Sequence, residues 1–213
     1  MYKYILFDLD GTLLNTYPGV SNALKYTMDF FGMPEPDEET KRRYLGPPLG
    51  DSFRDIAGFD EETIPAAIAK FREYYLEKGV YEYEFFEELK PTFDKLRDLG
   101  CTLAVATSKL EPAARDMLRH AGIYDEFDFI CGASSDAARV TKTAVLENVL
   151  KHYNISDKSQ VILIGDRNHD VIGANNVGID CCGVLCGFGS REEFEESGAK
   201  YIVSSISDIF SIL

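Results

Sequence analysis

Six short strand-like runs most constrain what this chain can fold into: Tyr4–Phe7, Thr102–Ala106, Asp128–Cys131, Gln160–Ile164, Cys182–Leu185 and Tyr201–Val203. Stretches with helical spacing stand between them, at 91–99, 112–121, 142–152, 169–176 and 191–196. Runs this short and apolar read as strands buried on both faces, and parallel pairing requires a crossover between consecutive strands. The order predicts an α/β fold, a doubly wound, Rossmann-like parallel sheet covered on both sides. Punctuation agrees. Pro91 and Gly100 bracket one helix, and Pro112 and Gly122 the next, with proline in the first turn and glycine after the last.

Residues 15–87 interrupt this alternation. They contain no convincing buried strand, show helical spacing at Val20–Phe31 and Ile64–Leu76, and carry the turn cluster Gly46-Pro47-Pro48-Leu49-Gly50. They read as a helical insertion after the first strand. The expected organisation is a core of residues 1–14 and 88–213 with an inserted helical cap at 15–87. The 213 residues suffice for such a core.

Charge narrows the partners. With 22 Lys and Arg against 36 Asp and Glu, the formal net charge is −14. Nucleic acid and anionic membrane surfaces would be repelled. A phosphorylated small molecule would be repelled as well, so any phosphate site must rest on local donors and a cation. No apolar run approaches the length of about 20 residues that spans a bilayer, and the first residues lack the apolar stretch of a signal peptide. The expected location is cytoplasmic and the expected state a monomer or homodimer. The five cysteines, Cys101, Cys131, Cys181, Cys182 and Cys186, read as reduced, mostly buried thiols.

Chemistry gathers where strands end, the position at which open α/β sheets bind ligands. The first run leads straight into Asp8-Leu9-Asp10-Gly11-Thr12. Two carboxylates two residues apart repel each other unless a cation lies between them, and a divalent metal is the natural partner. Gly11 lets the chain turn sharply and bring N–H groups near an anion, with Thr12 beside it. The second run ends in the hydroxyls of Thr107 and Ser108, suitable donors to phosphate oxygens. A later run, Val161–Ile164, enters Gly165-Asp166 with Asp170 four residues on. Lys142 opens a strong helical pattern, where a helix N-terminus adds its own positive end.

Together, Asp8-Leu9-Asp10-Gly11-Thr12, Thr107, Lys142 and Gly165-Asp166 with Asp170 resemble the four-part signature of haloacid dehalogenase superfamily phosphohydrolases. Within that superfamily the chain looks most like phosphoglycolate phosphatases and 5′-nucleotidase-like enzymes. The resemblance implies a Mg²⁺-dependent phosphatase acting on a small phosphorylated metabolite. Asp8 would be the nucleophile and Asp10 the general acid and base. Asp8, the Asp10 backbone carbonyl, Asp166 and Asp170 would serve the metal, and Thr107 and Lys142 the phosphoryl oxygens. Gly11, Thr12 and Ser108 would line the phosphate, and Arg43 and Gly46 of the cap would meet the substrate. Lys142 precedes a threonine where the family often has proline, which leaves Arg139 or Lys109 as alternative cations. Lys109 otherwise reads as solvated, Arg167 as paired with a nearby acid and His169 as exposed. The rival readings are a phosphomutase of the β-phosphoglucomutase type, a dehalogenase and a non-catalytic phosphate-binding module.

Overall fold

The computed structural model describes residues 2–45, 49–86, 89–136 and 138–213. The chain divides into two compact units, one of Met1–Leu14 with Phe85–Leu213 and one of Asn15–Glu84. The second crossing thus falls at 84/85, against 87/88 from the sequence.

The larger unit is built on a six-stranded parallel sheet. Its strands are β1 (Tyr4–Phe7), β4 (Thr102–Leu110), β5 (Phe129–Ala133), β6 (Val161–Gly165), β7 (Asp180–Val184) and β8 (Tyr201–Val203), in the spatial order β5-β4-β1-β6-β7-β8. Two further strands, β2 (Leu14–Asn15) and β3 (Glu84–Phe85), form a separate two-stranded ribbon. The chain starts at the centre of the large sheet, steps outward through β4 and β5, returns past β1 to β6 and continues to β7 and β8. Phe7 pairs with Val105 on one side and Ile164 on the other. Asp8, one residue on, therefore emerges between the carboxyl ends of β4 and β6, at the point where the strand order reverses.

Helices cover the sheet because successive strand residues face opposite ways. Leu6 packs with Ala104, Leu163, Val145, Val149, Val171 and Phe194, from neighbouring strands and from α7 (Lys142–His152), α8 (Asn168–Val177) and α9 (Arg191–Ser197). Phe7 points the other way. Its ring lies 5.8 Å from Phe93 of α5 (Leu89–Asp98) and 6.2 Å from Phe127, edge to face. The helix α6 (Glu111–His120) follows β4 directly.

Two departures from the sequence reading have local causes. Strand β4 continues to Leu110, past the hydroxyls that ended the apolar run, because β5 accompanies it through Ala133 with an irregularity between Ala106 and Leu110. Strand β7 begins at Asp180, whose carboxylate accepts from the Tyr2 hydroxyl (2.6 Å) and is neutralised by Lys200 Nζ (2.7 Å).

The smaller unit is helical: α1 (Tyr17–Phe30), α2 (Glu38–Arg42), α3 (Leu49–Asp55) and α4 (Ile64–Glu77). Its own core includes Ala23, Leu24, Met28, Tyr44, Phe53, Ala67 and Phe71. The short helices α2 and α3 are absent from the sequence reading, since five and seven residues give too little periodicity to register. Asp37 fixes the start of α2 by accepting from Thr40 N–H (2.8 Å).

Candidate active site

Strand β1 delivers Asp8, strand β6 delivers Asp166, and α8 delivers Asp170 one turn further. One carboxylate oxygen from each lies within 4.8 Å of the others. Asp166 is fully buried and Asp170 is 2% exposed. Glycines make this proximity possible. Gly11 has φ +80°, a left-handed conformation, and a Cβ there would collide with the Asp166 carboxylate. A Cβ on Gly165 would collide with Asp170.

Lys142 opens α7, behind the N-cap Thr141, whose hydroxyl accepts from Ala144 N–H (3.2 Å). Its Nζ donates to Asp8 Oδ1 (2.7 Å) and the Ala106 carbonyl (2.8 Å) and lies 2.7 Å from Asp170 Oδ1. A Cβ on Gly173 would strike the Lys142 stem, so α8 must present glycine there for the lysine to pass. Of the three cations weighed from the sequence, Lys142 is the one that reaches Asp8. Arg139 is committed elsewhere, to the Gly132 carbonyl (2.6 Å) and Glu111 (2.8 Å).

The solvated reading of Lys109 is corrected. Its side chain is 12% exposed, and Nζ donates to both carboxylate oxygens of Asp10, at 2.9 and 3.1 Å. Strand alternation, prolonged past Ala106, puts Thr107 inward and Ser108 outward. The buried Thr107 hydroxyl accepts from Lys109 N–H (3.2 Å). Thr12 is buried, with its hydroxyl turned to Asp166 Oδ1 at 3.4 Å. Arg167 pairs with Glu193 (2.9 Å), as a nearby acid was expected to provide, and His169 is exposed. Arg43 belongs to the helical unit, where it is exposed, and Gly46 lies outside the described residues. All five cysteines are free thiols, four of them buried.

Electrostatics follow from crowding in a dry place. Burial pushes the Asp8 carboxyl up to about 6; Lys142 pulls it down, and the charges of Asp170 and Asp10 push it up again. Burial, then Asp170 and Asp8, also hold the Asp166 carboxyl well above the usual range. For Lys142, burial favours the neutral amine, but Asp170 and Asp8 outweigh it and keep the ammonium protonated. Asp170 Oδ1 is buried and ion-paired with the Lys142 ammonium at 2.7 Å. Three converging carboxylates, two of them with raised proton affinity, outnumber the single Lys142 ammonium among them and fit a hard divalent cation such as Mg²⁺, which takes oxygen ligands.

Three contributors escaped the sequence reading. Phe188 N–H donates to Asp166 Oδ2 (2.9 Å). Gly187 lets that loop approach, since a Cβ would strike both Asp166 and the Gly11 carbonyl. Glu193 reaches the backbone N–H of Asn168 (2.7 Å). The available signal was the glycine pair in Gly187-Phe188-Gly189, directly after a strand.

Comparison with known proteins agrees with this geometry. Residues 5–184 match the haloacid dehalogenase-like hydrolases. A 5′-nucleotidase of Pseudomonas aeruginosa is 32% identical over 212 residues, covering 100% of this chain and 96% of that protein. The tyrosine-protein kinase PtkA of Mycobacterium tuberculosis is 35% identical, over 97% of this chain and 70% of its own length. The crystal structure of a Clostridium difficile protein assigned as a phosphatase has a TM-score of 0.92 and 40% identity, covering 100% of this chain and 98% of that one.

Proposed function

The chain belongs to the haloacid dehalogenase-like hydrolase family and is an enzyme of the phosphatase class; from that premise we propose that it is a Mg²⁺-dependent phosphomonoesterase working through a phospho-aspartate at Asp8. The observation that carries this reading is the meeting of Asp8, Asp166 and Asp170 around the buried Lys142 ammonium, at the carboxyl ends of the central strands.

Asp8, ionised at neutral pH, attacks phosphorus. The bond from phosphorus to the ester oxygen breaks, and Asp10 gives its proton to the departing alkoxide. Water then attacks phosphorus, Asp10 takes the proton back, and the acyl phosphate bond breaks to free Asp8 and inorganic phosphate. One hard displacement becomes two easier ones. Lys142 holds Asp8 in line and neutralises charge on the phosphoryl oxygens, and Thr107 adds a hydroxyl beside them. Asp8, Asp166 and Asp170 would hold Mg²⁺, which when bound offsets negative charge on the transferring group. Lys109, which pairs with both Asp10 oxygens in the resting site, orients that carboxyl and keeps to one oxygen while the other carries the proton.

The substrate proposed is a small monoester, a nucleoside 5′-monophosphate or a phosphoglycolate-like acid. The test is phosphate release from AMP, phosphoglycolate and p-nitrophenyl phosphate, with Mg²⁺ or with EDTA, for wild type and Asp8→Asn. Turnover that needs Mg²⁺ and vanishes in the variant is expected. Turnover in EDTA, or undiminished turnover by Asp8→Asn, would refute the proposal.

A further inference from the structure

We infer that Glu193, with the loop that precedes it, is a positioning residue for the metal site, setting the placement of Asp166 and Asp170 without touching the ion. The inference rests on the Mg²⁺ reading above and goes beyond it.

Its starting point is a side chain that ignores its local role. Ser190-Arg191-Glu192-Glu193 has the spacing of a capping box, and Ser190 does cap α9, its Oγ accepting from Glu193 N–H at 3.2 Å. In such a box the glutamate folds back to the N–H of its own cap. Glu193 instead projects to another helix. Its Oε1 accepts from the backbone N–H of Asn168 at 2.7 Å and from Arg167 Nε at 2.9 Å. Asn168 is the first residue of α8, and that N–H is one of the donors a helix start leaves without an internal partner.

The segment between these contacts grips the same chain from the other side. Phe188 N–H donates to Asp166 Oδ2 (2.9 Å). Gly189 sits so close that a Cβ would collide with the Asp166 carbonyl. Residues 187–193 therefore fix both ends of Asp166-Arg167-Asn168. The turn they fix also sets Asp170, whose Oδ2 accepts from Arg167 N–H at 3.1 Å. Three carboxylates crowded within 4.8 Å repel one another and would spread apart unless their backbones were held. Glu193 supplies a tether from outside the cluster. Groups that orient metal ligands in this way are worth about 10–100-fold in metal affinity.

The test is calorimetric titration of the EDTA-stripped, dialysed protein with MgCl₂ alone, alongside its thermal midpoint in EDTA. Glu193→Gln keeps an oxygen at the same reach for Asn168 N–H. Glu193→Asp keeps the charge but draws the oxygen back by one bond. Glu193→Ala removes both. Expected is near wild-type Mg²⁺ affinity for Glu193→Gln, several-fold weaker binding for Glu193→Asp and about 10–100-fold weaker binding for Glu193→Ala, with midpoints in EDTA close to wild type. If Glu193→Ala does not fold, the order of the other two decides. Equal affinity in all variants, or tight binding by Glu193→Asp with loss in Glu193→Gln, overturns the inference. Absence of Mg²⁺ binding by the wild type overturns the metal reading itself, a result distinct from either.

Discussion

Replacing the proposed nucleophile should stabilise the metal-free protein. Burial raises the Asp8 carboxyl from an ordinary 3.8 to about 6 against the pull of Lys142. Between those two values the folded state retains a proton that the unfolded chain has released. Stability therefore falls as pH rises through this window, and the loss is complete above about 6. At 1.36 kcal/mol for each tenfold change in proton affinity, the loss is about 3 kcal/mol. Asparagine mimics the protonated side chain and still offers Lys142 an oxygen. In EDTA, Asp8→Asn should match the wild type near pH 4 and exceed it by about 3 kcal/mol at pH 7.5. At about 2–4 °C per kcal/mol for a chain of this size, that is a rise of about 6–12 °C in Tm. Differential scanning calorimetry at the two pH values measures it. Added Mg²⁺ should close the gap, because only the wild type retains the full ligand set; at a hundred times Kd the wild type gains about 2.7 kcal/mol. A variant less stable than wild type at pH 7.5 in EDTA would show that the carboxylates are not crowded as described.

Two further outcomes follow from single contacts. Lys109→Met removes the grip on Asp10, a charge-assisted interaction worth about 1.5–3 kcal/mol; kcat should fall about ten- to hundredfold while Mg²⁺ affinity by calorimetry stays unchanged, and wild-type kcat would show the ion pair to be idle. Phe93→Ala leaves Phe7 and Phe127 without their buried neighbour and should cost about 3–5 kcal/mol in urea unfolding; a cost below 1 kcal/mol would mean that this side of the sheet is loosely packed.

The parts of the fold visible in the sequence are those where one local property carries the signal. Tyr4–Phe7 and Val161–Ile164 are apolar without interruption because both faces of their strands are covered; the first stops at Asp8 and the second passes through Gly165 to Asp166. That junction marks Asp8 and Asp166 without any knowledge of their partners. Lys142 was legible from its place at the start of a helical pattern, though only the structure shows its ammonium between Asp8 and Asp170. Lys109 was misread because its burial depends on β4 running beyond the apolar segment, which in turn depends on the length of β5. Glu193 and Phe188 were invisible for a different reason. Their contacts cross from the loop after β7 to the loop after β6, and the Ser190-to-Glu193 spacing points to a purely local use that the side chain does not adopt. The contact of the Thr12 hydroxyl with Asp166 joins distant parts of the chain, a proximity that spacing along the sequence does not encode.

The central claim is that Asp8 takes the phosphoryl group from the ester. Acid quenching of wild-type enzyme within milliseconds of mixing with Mg²⁺ and ³²P-labelled AMP or phosphoglycolate, whichever turns over faster, followed by borohydride reduction and peptide mass spectrometry, tests it directly. The account predicts transient label lost on longer incubation, with reduction at position 8 and nowhere else. Rapid turnover with no covalent label, or label on another residue, would contradict it.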